Sequence, residues 1–326
     1  MPKPIHWGIL GTGRIARKFA AGLACLPDAR LGAVGSRSTE AAGDFAREFP
    51  GVRCHSSYAA LAQDPEVDAI YIATPHTLHA ANTRVCLEAG KPVLCEKPFT
   101  INAAEAETII GLAQEKNLLL MEAMWTRFIP LIVRLLEILE EGRIGEVRML
   151  SVDFGFRAEP WMDRLFDPAL GGGALLDVGV YAVSLASLLF GTPSSITGLA
   201  DLGPSGVDEQ AAGVLGHTGG RLAVFHTAVR ANTFQEASIM GTLGRIRVHQ
   251  PWWKATQMTI SLDDGSTETV TIPYEGNGYQ FEAAAFMNCL HHGQRECDLM
   301  PLAETLAIMK TMDTLRRQWG LKYPME

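Results

Sequence analysis

The segment that most limits how this chain can fold is its first one. Ile5-His6-Trp7-Gly8-Ile9-Leu10 is a short strand-like run that passes directly into Gly11-Thr12-Gly13-Arg14-Ile15-Ala16, with helical spacing over residues 15–23. Strand, glycine turn and helix in that order make a βα unit. Gly11 permits the tight turn, Gly13 lets backbone approach a ligand, and the small Ala16 allows the helix to pack on the sheet. A helix amino terminus at this place offers N–H donors to a pyrophosphate. The pattern predicts a dinucleotide site on Gly11, Thr12, Gly13, Arg14 and Ile15.

The next strand is expected over residues 30–35 and ends in Ser36-Arg37-Ser38. An NAD-preferring site places an acid there for the ribose 2′-hydroxyl, and the acid is absent. Two hydroxyls and a guanidinium suit a 2′-phosphate, which favours NADP. The alternative is a solvated turn with Glu40 reaching back, and NAD. A helix over 42–49, a segment over 57–61 and an apolar strand over 69–73 follow, the strand closed by Thr74-Pro75-His76 at the same sheet edge. A helix over 78–89 stops at Gly90. Val93, Leu94 and Cys95 then have the unbroken apolar character of a covered parallel strand. Pro98 forbids its continuation and biases Lys97 toward extended backbone, so Glu96 and Lys97 arrive at the carboxyl edge, where open α/β sheets bind ligands. The plainer alternative is a surface ion pair at a strand end. A helix over 103–116 and a strand over 118–121 complete the alternation of a doubly wound parallel sheet. His76 and His79 lack a third ligand, so they read as a helix start, and no metal site is expected.

After Glu122 the pattern changes. Segments at 149–156, 211–215, 222–229, 257–262 and 268–272 include several that alternate, and Asp263-Asp264-Gly265 signals a hairpin. Helices are expected over 131–141, 177–189, 281–290 and 302–319. The fold class is therefore α/β: a Rossmann domain over residues 1–124, then over 125–326 an α+β domain with a large, mostly antiparallel open sheet. Within it, Gly171-Gly172-Gly173 precedes Asp177 and Tyr181, four apart and so on one helical face. A tyrosine beside a lysine is a plausible proton carrier, since an ammonium favours phenolate in a group that ordinarily titrates at about 10. The alternative is a core tyrosine bonded to Asp177. Trp125, Phe154 and Trp253 are candidate walls for a substrate ring, each equally a candidate for packing. Arg127, Trp161 and Arg164 are candidates to approach the cofactor or a loop over it.

Charge narrows the partners. A formal net charge of −8 leaves no basic excess for a nucleic acid. Apolar runs are broken by glycine or charge short of membrane length, and no secretory leader is legible, so a cytoplasmic protein away from membranes is expected. Six cysteines without C-x-x-C spacing fit reduced thiols.

Taken together, the glycine turn, Glu96-Lys97-Pro98 and Gly171-Gly172-Gly173 with Asp177 and Tyr181 resemble the glucose-fructose oxidoreductase, inositol dehydrogenase and MocA-like (Gfo/Idh/MocA) family over essentially the whole chain. Residues 94–98, 120–128 and 172–177 are similar to its dimeric dihydrodiol dehydrogenase and NADP-dependent D-xylose 1-dehydrogenase branch. The resemblance implies nicotinamide and substrate meeting between two domains, and a homodimer through the open sheet. It implies that Lys97 binds the reacting oxygen and that Asp177 orients a substrate hydroxyl. Tyr181 departs from the histidine of many relatives and agrees with the dihydrodiol branch. The expected activity is reversible hydride transfer between NADP, or NAD, and a hydroxyl-bearing carbon of a neutral sugar or vicinal diol. The alternatives are a cyclitol or other sugar oxidoreductase, or a dinucleotide-binding sensor without turnover.

Overall fold

Parallel strands covered on both faces read as continuous apolar runs, and the first part of the chain is made of them. In the computed structural model, which describes residues 3–159 and 162–326, the elements run β1 (Ile5–Leu10), α1 (Arg14–Leu23), β2 (Ala29–Gly35), α2 (Thr39–Glu48), β3 (Arg53–His55), α3 (Tyr58–Ala62), β4 (Ala69–Ile72), α4 (His79–Glu88), β5 (Val93–Glu96), α5 (Ala103–Glu115) and β6 (Leu120–Ala123). Among the described residues the strands form one parallel sheet in the order β3-β2-β1-β4-β5-β6. β4, β5 and β6 are buried at every position. The order reverses beside β1, which places the glycine turn at the topological switch point of the sheet. Ser38, Ser57 and Asn102 cap α2, α3 and α5 through their side chains, each satisfying an N–H that the first helical turn leaves over.

The second unit is built on α6 (Pro130–Glu140), β7 (Val147–Gly155), α7 (Val180–Phe190), β8 (Ser195–Leu202), β9 (Asp208–His217), β10 (Arg221–Ala228), β11 (Ala237–Gly241), β12 (Gly244–Val248), β13 (Gln257–Leu262) and β14 (Thr267–Thr271). Its sheet runs β14-β13-β12-β11-β7-β10-β9-β8, antiparallel except between β7 and β10. The β13–β14 hairpin turns at the predicted Asp263-Asp264-Gly265. β8, β11 and β12 escaped the sequence reading: β8 is an edge strand with little buried surface, and the other two are only five residues long. The run Pro168–Phe190 is 23 residues long and apolar enough to cross a bilayer, longer than the sequence reading allowed, but 89% of its most apolar stretch is buried. It is the core helix of this unit.

Two further helices, α8 (Tyr279–His291) and α9 (Leu302–Trp319), end the chain. Here the single boundary drawn near residue 124 needs correction. Contacts group residues up to Trp125 with Glu275–Leu306, and Thr126–Tyr274 with Ala307–Glu326. The returning segment is knit in by remote partners: the ring of Phe286 lies 5.1 Å from that of Trp7, Asn277 donates to the Lys18 carbonyl at 2.7 Å, and Leu120 N–H donates to the Arg295 carbonyl at 3.2 Å. Such pairings leave no trace in local periodicity.

Candidate active site

The predicted residues fall into two sets, one in each unit. In the first, the carboxyl ends of β1, β2 and β4 converge. Gly11 donates to the Gly35 carbonyl at 2.9 Å. Its φ is +111°, and a Cβ there would lie 2.8 Å from the Ala73 carbonyl oxygen, so only glycine fits. At Gly13 a Cβ would meet nothing within 4 Å. This residue opens α1 without a side-chain cap, whereas α2, α3 and α5 all have one. The helix start therefore has no side-chain cap over it and the approach at Gly13 is open, which fits a dinucleotide pyrophosphate.

At the end of β2, Ser36 is buried and Arg37 and Ser38 are exposed. Ser36 Oγ accepts from Ser38 N–H at 3.2 Å, and Ser38 Oγ accepts from Ala41 N–H at 3.2 Å. Both hydroxyls serve as acceptors within the protein and keep their own protons to donate, as an incoming phosphate requires. At the end of β4, Thr74 and His76 are buried, and Thr74 Oγ1 accepts from Asn82 at 3.0 Å.

Lys97 follows directly on β5, half-buried, and its peptide bond to Pro98 is cis. The turn is anchored beneath. Glu96, fully buried, accepts the Lys97 N–H at 3.1 Å and the Tyr71 hydroxyl. Tyr71 stacks on Phe19 at 3.6 Å. Burial raises the Glu96 carboxyl above its ordinary range, and it raises Glu282, on α8, well above. His79 holds the turn from the other side: one ring nitrogen lies 2.8 Å from the Pro98 carbonyl and the other 2.9 Å from the Thr74 carbonyl. It thereby ties the end of β4 to the end of β5. Burial lowers its pKa against the pull of the two carbonyls, which only a doubly protonated ring can satisfy together. Read from sequence as half of a helix-start pair, His79 joins two turns that carry predicted site residues. Tyr71 and Glu282 looked like ordinary members of a strand and a helix. Trp125 also belongs to this unit, where it is buried and stacks on Tyr279 at 4.8 Å.

The second set gathers around the start of α7. Leu175–Gly179 is a π-turn that leads into α7, so Asp177 and Tyr181 straddle a widened turn and not the regular helix expected; π-turns of this kind recur at functional sites. Asp177 Oδ1 accepts from Arg164 at 3.0 Å. Tyr181 is buried with its ring 5.3 Å from that of Phe154, and Phe154 in turn stacks face to face on Trp253 at 3.4 Å and 7°. Phe154 and Trp253 thus form an aromatic wall beside the phenol. Arg127, by contrast, is buried and donates to Ser184 Oγ and to the Ser184 carbonyl, both at 2.9 Å. Trp161 lies outside the described residues.

Comparison with known proteins identifies the family. Residues 5–124 match the Gfo/Idh/MocA oxidoreductase family, NAD-binding Rossmann fold, and residues 132–247 match the Gfo/Idh/MocA C-terminal domain. The trans-1,2-dihydrobenzene-1,2-diol dehydrogenase of Xenopus tropicalis is 34% identical over 330 residues, covering 98% of this chain and 99% of the relative. The human protein of the same name is 33% identical over 331 residues, covering 99% of each. Among solved structures, a 3-ketoreductase from Actinomadura kijaniata in complex with NADP and TDP-benzene has a TM-score of 0.88 at 27% identity, over 97% of this chain and 98% of that one. Levoglucosan dehydrogenase in complex with NADH and levoglucosan reaches 0.89 over 98% of both chains, at 21% identity, a likeness of fold. With an open, uncapped glycine turn at the switch point of its sheet and both domains matched, this chain belongs to the Gfo/Idh/MocA family of NAD(P)-binding oxidoreductases.

Proposed function

We propose that the protein is an NAD(P)-dependent dehydrogenase that oxidises, reversibly, one hydroxyl of a vicinal diol presented on a ring, a trans-dihydrodiol or a neutral sugar. The observation that carries this is the aromatic wall beside Tyr181: an apolar ring face can lie on Phe154 and Trp253 while its hydroxyls reach the phenol. The full-length relatives named as dihydrodiol dehydrogenases support the same substrate class. A nicotinamide dinucleotide held at Gly11, Thr12, Gly13, Arg14 and Ile15 supplies the hydride acceptor when bound. The chain's own residues handle the proton and the orientation. In the oxidation direction Tyr181, as phenolate, takes the proton of the reacting hydroxyl. The family resemblance assigns the binding of the reacting oxygen to Lys97, whose ammonium would stabilise the negative charge that develops there. Asp177, oriented by Arg164, accepts from a neighbouring hydroxyl of the diol. The forked donors of Arg37 with Ser36 and Ser38 favour NADP over NAD.

We also propose a homodimer through the open sheet. Leu199, Val214 and Leu222 share one face of β8, β9 and β10 by their pairing and are 82%, 37% and 41% exposed. A contiguous apolar face of this kind suits an isologous interface.

The test is the rate of NADP and NAD reduction by the purified protein against aldopyranoses, cyclitols and trans-dihydrodiols. Turnover of a dihydrodiol or aldopyranose above the cyclitols is expected. Reduction with cyclitols alone would select the cyclitol reading, and dinucleotide binding without turnover of any panel member would favour a sensor.

A further inference from the structure

The glycine run ahead of Asp177 and Tyr181 is gripped from three sides. Gly173 N–H donates to the Leu165 carbonyl at 2.8 Å, and Gly172 N–H to the Asp167 carbonyl at 3.0 Å. Tyr323, from the chain's far end, donates its hydroxyl to the Gly172 carbonyl at 2.6 Å. The third grip is a carboxylate. Asp208, at the start of β9, is fully buried and its Oδ2 accepts the Leu175 N–H at 2.6 Å. Its Oδ1 sits directly over Gly173: a Cβ on that residue would come within 2.2 Å of it. Gly173 also has φ +115°, so the turn needs glycine both for its backbone and for the room Asp208 takes. No residue of the helix start caps it: Ala174 precedes the π-turn with no side-chain cap. Asp208 does this from 33 residues away.

We propose that Asp208 is a positioning residue for the reaction: by holding the Leu175 N–H in the crook of the glycine turn, it fixes where the π-turn begins and so where Asp177 and Tyr181 point. The inference rests on the dehydrogenase reading for its catalytic consequence, but its structural half stands alone. Two features of the site favour this role over simple core packing. Oδ1 has no hydrogen-bond partner among the described residues, so a side chain chosen only for packing would have no reason to be an acid. And the group that Asp208 holds is the first turn of the segment bearing both predicted functional side chains.

The test uses the full-length protein and two variants. Asp208→Asn keeps size and one acceptor oxygen; Asp208→Ala removes the cap. Hydrogen exchange of the peptide spanning residues 175–181, measured without ligand, should speed up by about tenfold in Asp208→Ala and less in Asp208→Asn. kcat with the best panel substrate should fall by about tenfold or more in Asp208→Ala, with the dinucleotide KM within about twofold of the parent and partial recovery in Asp208→Asn. Unchanged exchange in that peptide overturns the proposal. Faster exchange with parental kcat in both variants also overturns it, leaving Asp208 a structural cap. If Asp208→Ala fails to fold, Asp208→Asn decides by the same two readouts. If the parent itself turns over no substrate, the dehydrogenase reading fails while the exchange result still judges the cap.

Discussion

Two turns carry the candidate chemistry, and they are held in opposite ways. The turn at Glu96 and Lys97 grows straight out of its own strand. Its supports are near neighbours in the βα alternation, with Tyr71 25 residues away from Glu96 and His79 19 from Pro98. The turn at Gly172 and Gly173 is held by Asp208 and by Tyr323, the latter 151 residues away. A parallel sheet gathers the ends of successive strands at one edge by topology alone, so each βα unit brings its own share of the site. A helix start set against a mostly antiparallel sheet has no such edge. Beyond the nearby carbonyls of Leu165 and Asp167, it is fixed by a distant strand and by the chain's end.

The contrast can be tested, and the largest effect is expected where the local turn meets the reaction. Lys97→Met should lower kcat by about 10³-fold while leaving dinucleotide affinity, read by fluorescence titration, within a few-fold of the parent. Parental turnover in that variant would remove Lys97 from the mechanism. The support under the same turn should matter for stability. His79→Ala, which strips the bridge between two carbonyls in a dry site, should cost about 2–3 kcal/mol in denaturant unfolding. A loss under about 0.5 kcal/mol would mean the two strand ends hold each other without the ring.

Selectivity for cofactor should respond more modestly. Arg37→Ala is expected to weaken NADP about tenfold and NAD hardly at all, by direct titration with each. Equal losses for the two would leave no ground for preferring the phosphorylated form.

The remote turn predicts a shallow pH signature. Burial pushes the Asp208 carboxyl up to about 7, against the pull of the Leu175 N–H and of Arg316, whereas in an unfolded chain an aspartate titrates at about 4. The folded protein therefore keeps a proton that the unfolded chain releases between those values. Stability from this group is complete below about pH 4 and is lost as pH rises toward 7, with a slope no steeper than about 1.4 kcal/mol per pH unit. Asp208→Asn cannot titrate and should flatten that part of the stability profile. The neighbouring ionic groups, Arg316 paired with Asp313 and Glu326 and lying over Tyr323, are the same in both proteins. Identical slopes for parent and variant would show that Asp208 stays ionised throughout.

Legibility in the sequence followed the same divide. Five of the six parallel strands, the glycine turn and the arrival of Lys97 at the sheet edge could be read because each is a local pattern: an apolar run, a glycine where φ must be positive, a proline that ends a strand; β3, three residues long and little buried, could not. Asp208 could not. Along β9 the even-numbered positions 210, 212 and 214 face outward, and simple alternation sends residue 208 out with them. A register irregularity between Asp201 and Leu202, where β8 pairs with this end of β9, accompanies its turning inward. No periodicity announces such a slip. The return of α8 to the first unit was hidden for the same reason, since Phe286 meets Trp7 across almost the whole chain.

By itself, then, the sequence determined the class of the fold, the dinucleotide turn, the strand that delivers Lys97 and the pairing of Asp177 with Tyr181 near one helix start, because backbone propensity and side-chain period act over a few residues. Tertiary structure alone decided that the helix start is a π-turn, that Asp208 and Tyr323 hold it, that His79 joins two strand ends, and that Phe154 stacks on Trp253. Those arrangements depend on burial, ring stacking and hydrogen bonds between residues 5 to 151 positions apart, and only the folded chain brings them within reach of each other.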